Sequence, residues 1–166
     1  MKKGKFSRIR VVAVYAAAVL LVFSAIAFAK GKMSLSAKLS GASEAPPVTT
    51  SATGNARFFI NTETGEIRYV LHVKDLKDVT MAHIHLGAKG ESGPPVAMLF
   101  MGPEKKGVFR GILAKGTITK KDLMGRLKGK TVKDLAHEME TGSTYVNIHT
   151  KANPGGELRG QIERRK

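Results

Sequence analysis

Ile67-Arg68-Tyr69-Val70-Leu71-His72-Val73 is the stretch on which the reading of this chain turns. Ile67, Tyr69, Leu71 and Val73 recur at strict period two, which puts them on one face of a strand and on no single face of a helix. Just upstream, Ala56 to Ile60 forms a second strand-like run, and Thr64-Gly65 between the two supplies a turn. Two such runs around a glycine-bearing turn read as a β-hairpin.

Working outward, the same grammar repeats. Met33, Leu35, Ala37 and Leu39 alternate with polar partners, and Gly41 to Ser51 is a loop containing Glu44-Ala45-Pro46-Pro47. Downstream come Val79 to Leu86, a Gly/Pro-rich loop from Gly87 to Pro95, and Val96 to Met101 ended by Gly102-Pro103. Phe109 to Thr119 supplies one or two more strands. Thr144 to Thr150 and Glu157 to Arg164 close the series, joined by Asn153-Pro154-Gly155-Gly156. Seven or eight short strands separated by regular turn signals predict a mostly β protein, an antiparallel Greek-key sandwich or flattened barrel. No internal repeat is visible, and the 6% aromatic content points to an aliphatic core.

One segment breaks the rhythm. Between Lys120 and Glu140 the apolar residues Leu123, Leu127, Val132, Leu135, Ala136 and Met139 fall at helical spacing. Thr131 with Asp134 resembles a capping box, and Gly142 fits a helix stop. One or two short inserted helices are expected.

The N-terminus reads as an address. Lys2, Lys3, Lys5, Arg8 and Arg10 precede an uncharged apolar run from Val11 to Phe28, and Ala27-Phe28-Ala29 has the small-x-small pattern of a signal peptidase site. Residues 1–29 are therefore expected to be a signal peptide, with an uncleaved anchor as the alternative, and residues 30–166 one domain. The expected location is extracytoplasmic: periplasmic, secreted or cell-surface. Without cysteine there is no disulfide, thiolate ligand or cysteine nucleophile.

Five of the 28 basic residues precede residue 30, so the remainder carries 23 basic against 13 acidic groups, or +10. Such a charge suits anionic envelope polymers, or else simply solubilises the surface. The lysines are scattered without stacking aromatics, which argues against nucleic acid. Partners are expected to be an envelope or extracellular protein or an anionic polymer, with membrane contact only through an uncleaved leader.

The chemistry is concentrated in histidines. His83 and His85 lie two apart on a strand and leave the same face, opposite Ala82, Ile84 and Leu86. In Tyr145-Val146-Asn147-Ile148-His149 the apolar Val146 and Ile148 take the core face, leaving Tyr145, Asn147 and His149 outside. If the two strands are neighbours, three imidazoles converge, a ligand set suited to copper or zinc with one position open. The competing reading has the imidazoles hydrogen-bonding the nearby loop backbones and tying them to the sheet. His72 and His137 read as solvated.

Other chemistries are excluded or unsupported. No serine sits in a nucleophile elbow, Gly87 to Gly93 lacks a P-loop ending, and no carboxylate pair is spaced for glycoside hydrolysis. Glu44 reads as a loop anchor that pairs with an arginine. No catalytic residue is assigned.

Three segments resemble the CHRD family, named after chordin, across residues 34–163. They are Leu39-Ser40-Gly41-Ala42-Ser43-Glu44-Ala45-Pro46-Pro47-Val48, His83-Ile84-His85-Leu86-Gly87 through Pro94-Pro95-Val96, and Tyr145-Val146-Asn147-Ile148-His149-Thr150 through Pro154-Gly155-Gly156-Glu157-Leu158-Arg159-Gly160-Gln161-Ile162. The resemblance implies an exported module, with Tyr145, Asn147, Glu157 and Arg159 as supports of the histidines or of the loops. Animal chordin uses such modules in an extracellular protein that sequesters growth factors. The cysteine-rich repeats that accompany them there have no counterpart here, so growth-factor binding is not carried over. The family is also similar to copper–zinc superoxide dismutase in its β-barrel and His-x-His strand. That enzyme's copper site has four histidines and the protein has a disulfide. The resemblance therefore implies at most a mononuclear site, with a superoxide dismutase-like redox role as an alternative to a non-enzymatic binding module.

Overall fold

A computed structural model describes residues 31–164; the leader expected over residues 1–29 lies outside them. Seven strands follow in order: β1 (Lys32–Ser40), β2 (Thr53–Asn61), β3 (Ile67–Leu86), β4 (Pro95–Ile118), β5 (Thr144–Thr150), β6 (Leu158–Gln161) and β7 (Glu163–Arg164). β1, β2, β3, β5 and β6 pair in a ring that closes on itself, so the protein is a five-stranded antiparallel barrel. Ring neighbours run in chain order with β4 left outside, paired along β3, while β7 pairs with β1. Closure leaves no edge strand within the ring, while β4 remains an edge strand beside β3.

The ring closes because β3 changes partner midway. Its first part, Ile67 to Lys74, pairs with β2, and its second part, Val79 to Leu86, pairs with β5. At the corner Asp75 and Asp78 have φ of 59° and 51°, a left-handed conformation that Asp tolerates better than bulkier residues. Register shifts surround the corner, as expected where bulges bend a strand and raise its twist.

The sequence pattern splits β3 and β4 into shorter strands, and here the structure differs. Residues 74–78 do not leave the sheet, because Leu76 pairs with Phe109, Lys77 with Val108 and Val79 with Lys105. The polar residues that resemble a loop instead form an irregular, bulged ladder within one long β3–β4 hairpin. Gly102-Pro103 likewise interrupts the apolar pattern of β4 without ending the strand.

The core is aliphatic apart from Phe58, with Leu35, Ile60, Ile67, Leu71, Val79, Ile84, Val146, Ile148 and Leu158 almost fully buried. The helical segment resolves into two 3-10 turns, Lys120–Asp122 and Gly125–Leu127, and helix α1 (Val132–Glu140). α1 begins in the capping box expected at Thr131: Asp134 donates its N–H to Thr131 Oγ1 at 3.3 Å, and Thr131 N–H donates to Asp134 Oδ2 at 2.7 Å. Aspartate thus fills the role usually taken by glutamate. Leu135 and Met139, four apart, are fully buried.

Candidate functional site

Pairing of β3 with β5 brings the predicted histidines together. The register sets Met81 opposite His149, His83 opposite Asn147 and His85 opposite Tyr145. Ala82 opposite Ile148 and Ile84 opposite Val146 fill the other face and enter the core. On the far side of β5, Asn147 pairs with Arg159 and Tyr145 with Gln161 of β6.

The alternation assigns this second face to the outside, and the structure corrects that. His83, His85 and His149 are only 7–8% exposed, while Tyr145, Asn147 and Arg159 are 3–4% exposed. The loops at 87–94 and 151–156 fold back over the sheet and cover it. Alternation separates the two faces of a strand, but what covers the second face depends on loops far away in sequence.

The loops are held by the histidines themselves. His85 Nδ1 lies 2.9 Å from the Gly93 carbonyl, and His149 Nδ1 lies 2.9 Å from the Pro154 carbonyl. A carbonyl only accepts, so each Nδ1 carries the proton and donates it. Each Nε2 is thereby left with a lone pair. Loop anchoring and metal ligation are therefore compatible for His85 and His149, since anchoring the loop through Nδ1 leaves the lone pair on Nε2.

The inward ring nitrogens converge. His83 Nδ1–H donates to His149 Nε2 at 3.2 Å, so ligation by both would require His83 to carry its proton on Nε2 instead. His85 Nε2 is buried with no hydrogen-bond partner. One nitrogen from each ring lies within 4.8 Å of the others, a group that could hold a metal ion. Metal–nitrogen bonds of 2.0–2.1 Å in a tetrahedron require nitrogens about 3.3 Å apart. The His83–His149 pair already meets that spacing, and His85 has only to move inward.

Electrostatics keep the rings neutral. Burial pushes His83 down to about 4, aided by the neighbouring His149 and His85. Burial also lowers His85, opposed by its hydrogen bond to Gly93, with His149 and Arg159 adding to the lowering. His149 is lowered by burial against the opposing bond to Pro154. Neutral imidazole is the form that ligates.

The flanking residues build the frame. Tyr145 stacks on His85 with centroids 5.1 Å apart, and Arg159 lies over the outer Tyr145 face at 3.6 Å. Tyr145 Oη accepts from Gly93 N–H at 3.1 Å, and Arg159 donates to the carbonyls of Ala88 and Glu91. Glu157 accepts from Thr50 at 2.9 Å, Thr150 at 2.6 Å and Asn153 at 3.0 Å, tying two loops to the barrel. Gly93 has no room for a β-carbon, which would collide with the Leu86 carbonyl.

Glu44, expected to pair with an arginine, is instead bonded by Asn147 Nδ2 at 2.6 Å. Burial raises its pKa, opposed by that bond and more distantly by the Arg159 charge. The Arg159 guanidinium donates instead to the carbonyls of Ala88 and Glu91, and Asn147 Nδ2 bonds Glu44 and the Leu158 carbonyl. Gln161 was not singled out by sequence, yet its Nε2 donates to Gly87 O at 3.1 Å and Gly142 O at 2.7 Å. Period two from Arg159 would have found it. His72 and His137 are exposed, as expected.

Among known proteins, the CHRD domain family matches residues 35–162. Chordin of Xenopus laevis is 31% identical over 132 residues, covering 75% of this chain and 12% of the relative, so the chain spans about an eighth of that protein's length. No solved structure matches. With most of its length matched by the family, and the loops and histidines described here inside that match, the chain belongs to the CHRD domain family.

Proposed function

We propose that this CHRD domain is an exported, non-enzymatic binding module whose histidine centre holds one copper or zinc ion. In this role His83, His85 and His149 are the protein ligands, and the ion fixes the loops 87–94 and 151–156 as the contact surface. The observation that carries the reading is the convergence of ring nitrogens: two Nδ1–H groups are spent on loop carbonyls, and one nitrogen of each ring lies within 4.8 Å of the others. Three imidazoles suit copper or zinc better than magnesium or calcium, which prefer oxygen.

Export is supported by the basic and apolar leader. Among the described residues no helix is long and apolar enough to cross a membrane. The partner in this reading is an envelope or extracellular protein or an anionic polymer, drawn by the net positive charge.

The test is elemental analysis of the protein purified from its native compartment, beside a His83→Ala/His149→Ala variant. Near-stoichiometric copper or zinc, absent from the variant, is the expected result. A ligand that binds only the folded state at about a hundred times its Kd adds about 2.7 kcal/mol, so melting should rise with the metal. Protein that neither contains nor takes up metal, with unchanged melting, would reduce the histidines to loop anchors and sink the metal centre.

A further inference from the structure

The histidine centre has an unlike flank on its β4 side. There the β3–β4 register sets Met98 opposite His83 and Met101 opposite Met81, while Met81 is itself opposite His149 across β5. Directly paired residues project to the same side of a sheet, their β-carbons about 4.5–5.5 Å apart. Met81, Met98 and Met101 therefore share the face of His83 and His149, with Met98 directly opposite His83 and Met81 directly opposite His149. The opposite side is accounted for by Leu99, Ala97 and Phe100, which pack into or against the core.

Three of the chain's seven methionines fall at this one place. Met81 is 36% and Met101 66% exposed, whereas Met98 is half-buried beside His83. The Gly93 and Pro154 loops are bonded to His85 and His149, and the methionine-bearing part of β4 flanks the centre along β3. Exposure alone gives these side chains no role, since Val108 and Ile112 farther along β4 are exposed as well. Methionine chemistry does, because a thioether is a soft, uncharged ligand that selects Cu(I) over zinc.

We infer that Met81, Met98 and Met101 form a cuprous-ion docking site contiguous with the histidine centre. The inference rests on the proposed function in taking that centre to hold a metal, and it narrows the metal to copper in its reduced form. The buried, partnerless His85 Nε2 belongs to the adjoining histidine group, and Met81 and Met101 are the exposed members of the methionine set. The histidines alone accept zinc or oxidised copper; the methionines add cuprous capacity.

The experiment is an anaerobic titration of the whole chain with Cu(I) against a chromogenic cuprous chelator, with a parallel zinc titration. It compares the parent with Met81→Leu/Met98→Leu/Met101→Leu and with His83→Ala/His149→Ala. Leucine keeps the volume and removes the sulfur. In the leucine variant cuprous affinity should fall about tenfold or more, the scale of losing a supporting group at a metal site, while zinc binding is unchanged. Parental cuprous affinity in that variant, or no cuprous binding by the parent, overturns the inference. Zinc binding lost only in the alanine variant reports separately on the histidine centre. Sulfur-dependent Cu(I) binding that is unchanged in the alanine variant would sink that centre and leave the methionine site standing. Should the triple variant fail to fold, Met81→Leu and Met101→Leu, at the more exposed positions, are judged singly by the same criterion.

Discussion

The two halves of β3 obey the same alternation and end in different environments. From Ile67 to Lys74 one face is core, while the other carries the exposed Arg68, His72 and Lys74. From Ala82 to His85 every residue is buried, because apolar and imidazole side chains alternate between the barrel interior and a polar layer beneath loops. One strand thus supports a conventional barrel wall at one end and a two-sided buried wall at the other. The difference lies in what packs on the second face. The first half has solvent there, and the second has the 87–94 and 151–156 loops bonded to it.

That contrast yields a polar layer whose members satisfy one another. Buried polar groups are tolerated when hydrogen-bonded, and Asn147, Glu157, Arg159 and Gln161 all find partners. The partnerless nitrogen of His85 is the exception that makes the layer a candidate site rather than a mere seal.

The contrast can be broken at its strongest point first. Ile84 is fully buried in the barrel between the two histidines, and Ile84→Ala should cost about 2–5 kcal/mol by urea denaturation. A loss below about 1 kcal/mol would mean that the interior face of this half is less tightly packed than described.

Acid should act next, and only on the covered half. In the metal-free chain His83 is held near 4, against 6.5 when unfolded, and His85 and His149 are lowered as well. The unfolded state then takes up protons first, so the stability of the neutral rings is complete above about pH 6.5 and is lost as pH falls toward about 4. His85 and His149 face His83 directly, and Arg159 and Glu44 belong to the same layer. Denaturation curves across this window should show the decline, and a His83→Gln variant should show less of it. An equal decline in the variant would place the acid sensitivity elsewhere.

The smallest effect belongs to the exposed half. His72→Ala should change stability by less than about 0.5 kcal/mol, as for surface positions in general, and should leave metal uptake untouched. A larger loss in either would erase the distinction between the two halves of the strand.

The barrel was legible to a considerable degree. Period two at Ile67–Val73 and Tyr145–His149 is a local property of the chain, as are the Thr64-Gly65 turn and the Thr131 cap, and each appears where it was read. The fusion of β3 and β4 was not legible, because Asp75, Asp78 and Gly102-Pro103 carry turn chemistry that the sheet absorbs as bulges. The Glu44–Asn147 bond was equally hidden, joining residues 103 positions apart.

For the candidate site the division is similar. Sequence alone determined which residue types were available and on which face: His83 with His85, and His149 with Tyr145 and Asn147, each opposite an apolar set. Tertiary structure decided that β3 and β5 are neighbours, that β4 adds Met98 and Met101 to the same surface, and that loops cover the histidines while fixing their protons. The physical reason is that alternation is set by bonds within one strand, whereas register, neighbours and cover arise from contacts between segments that no local pattern encodes.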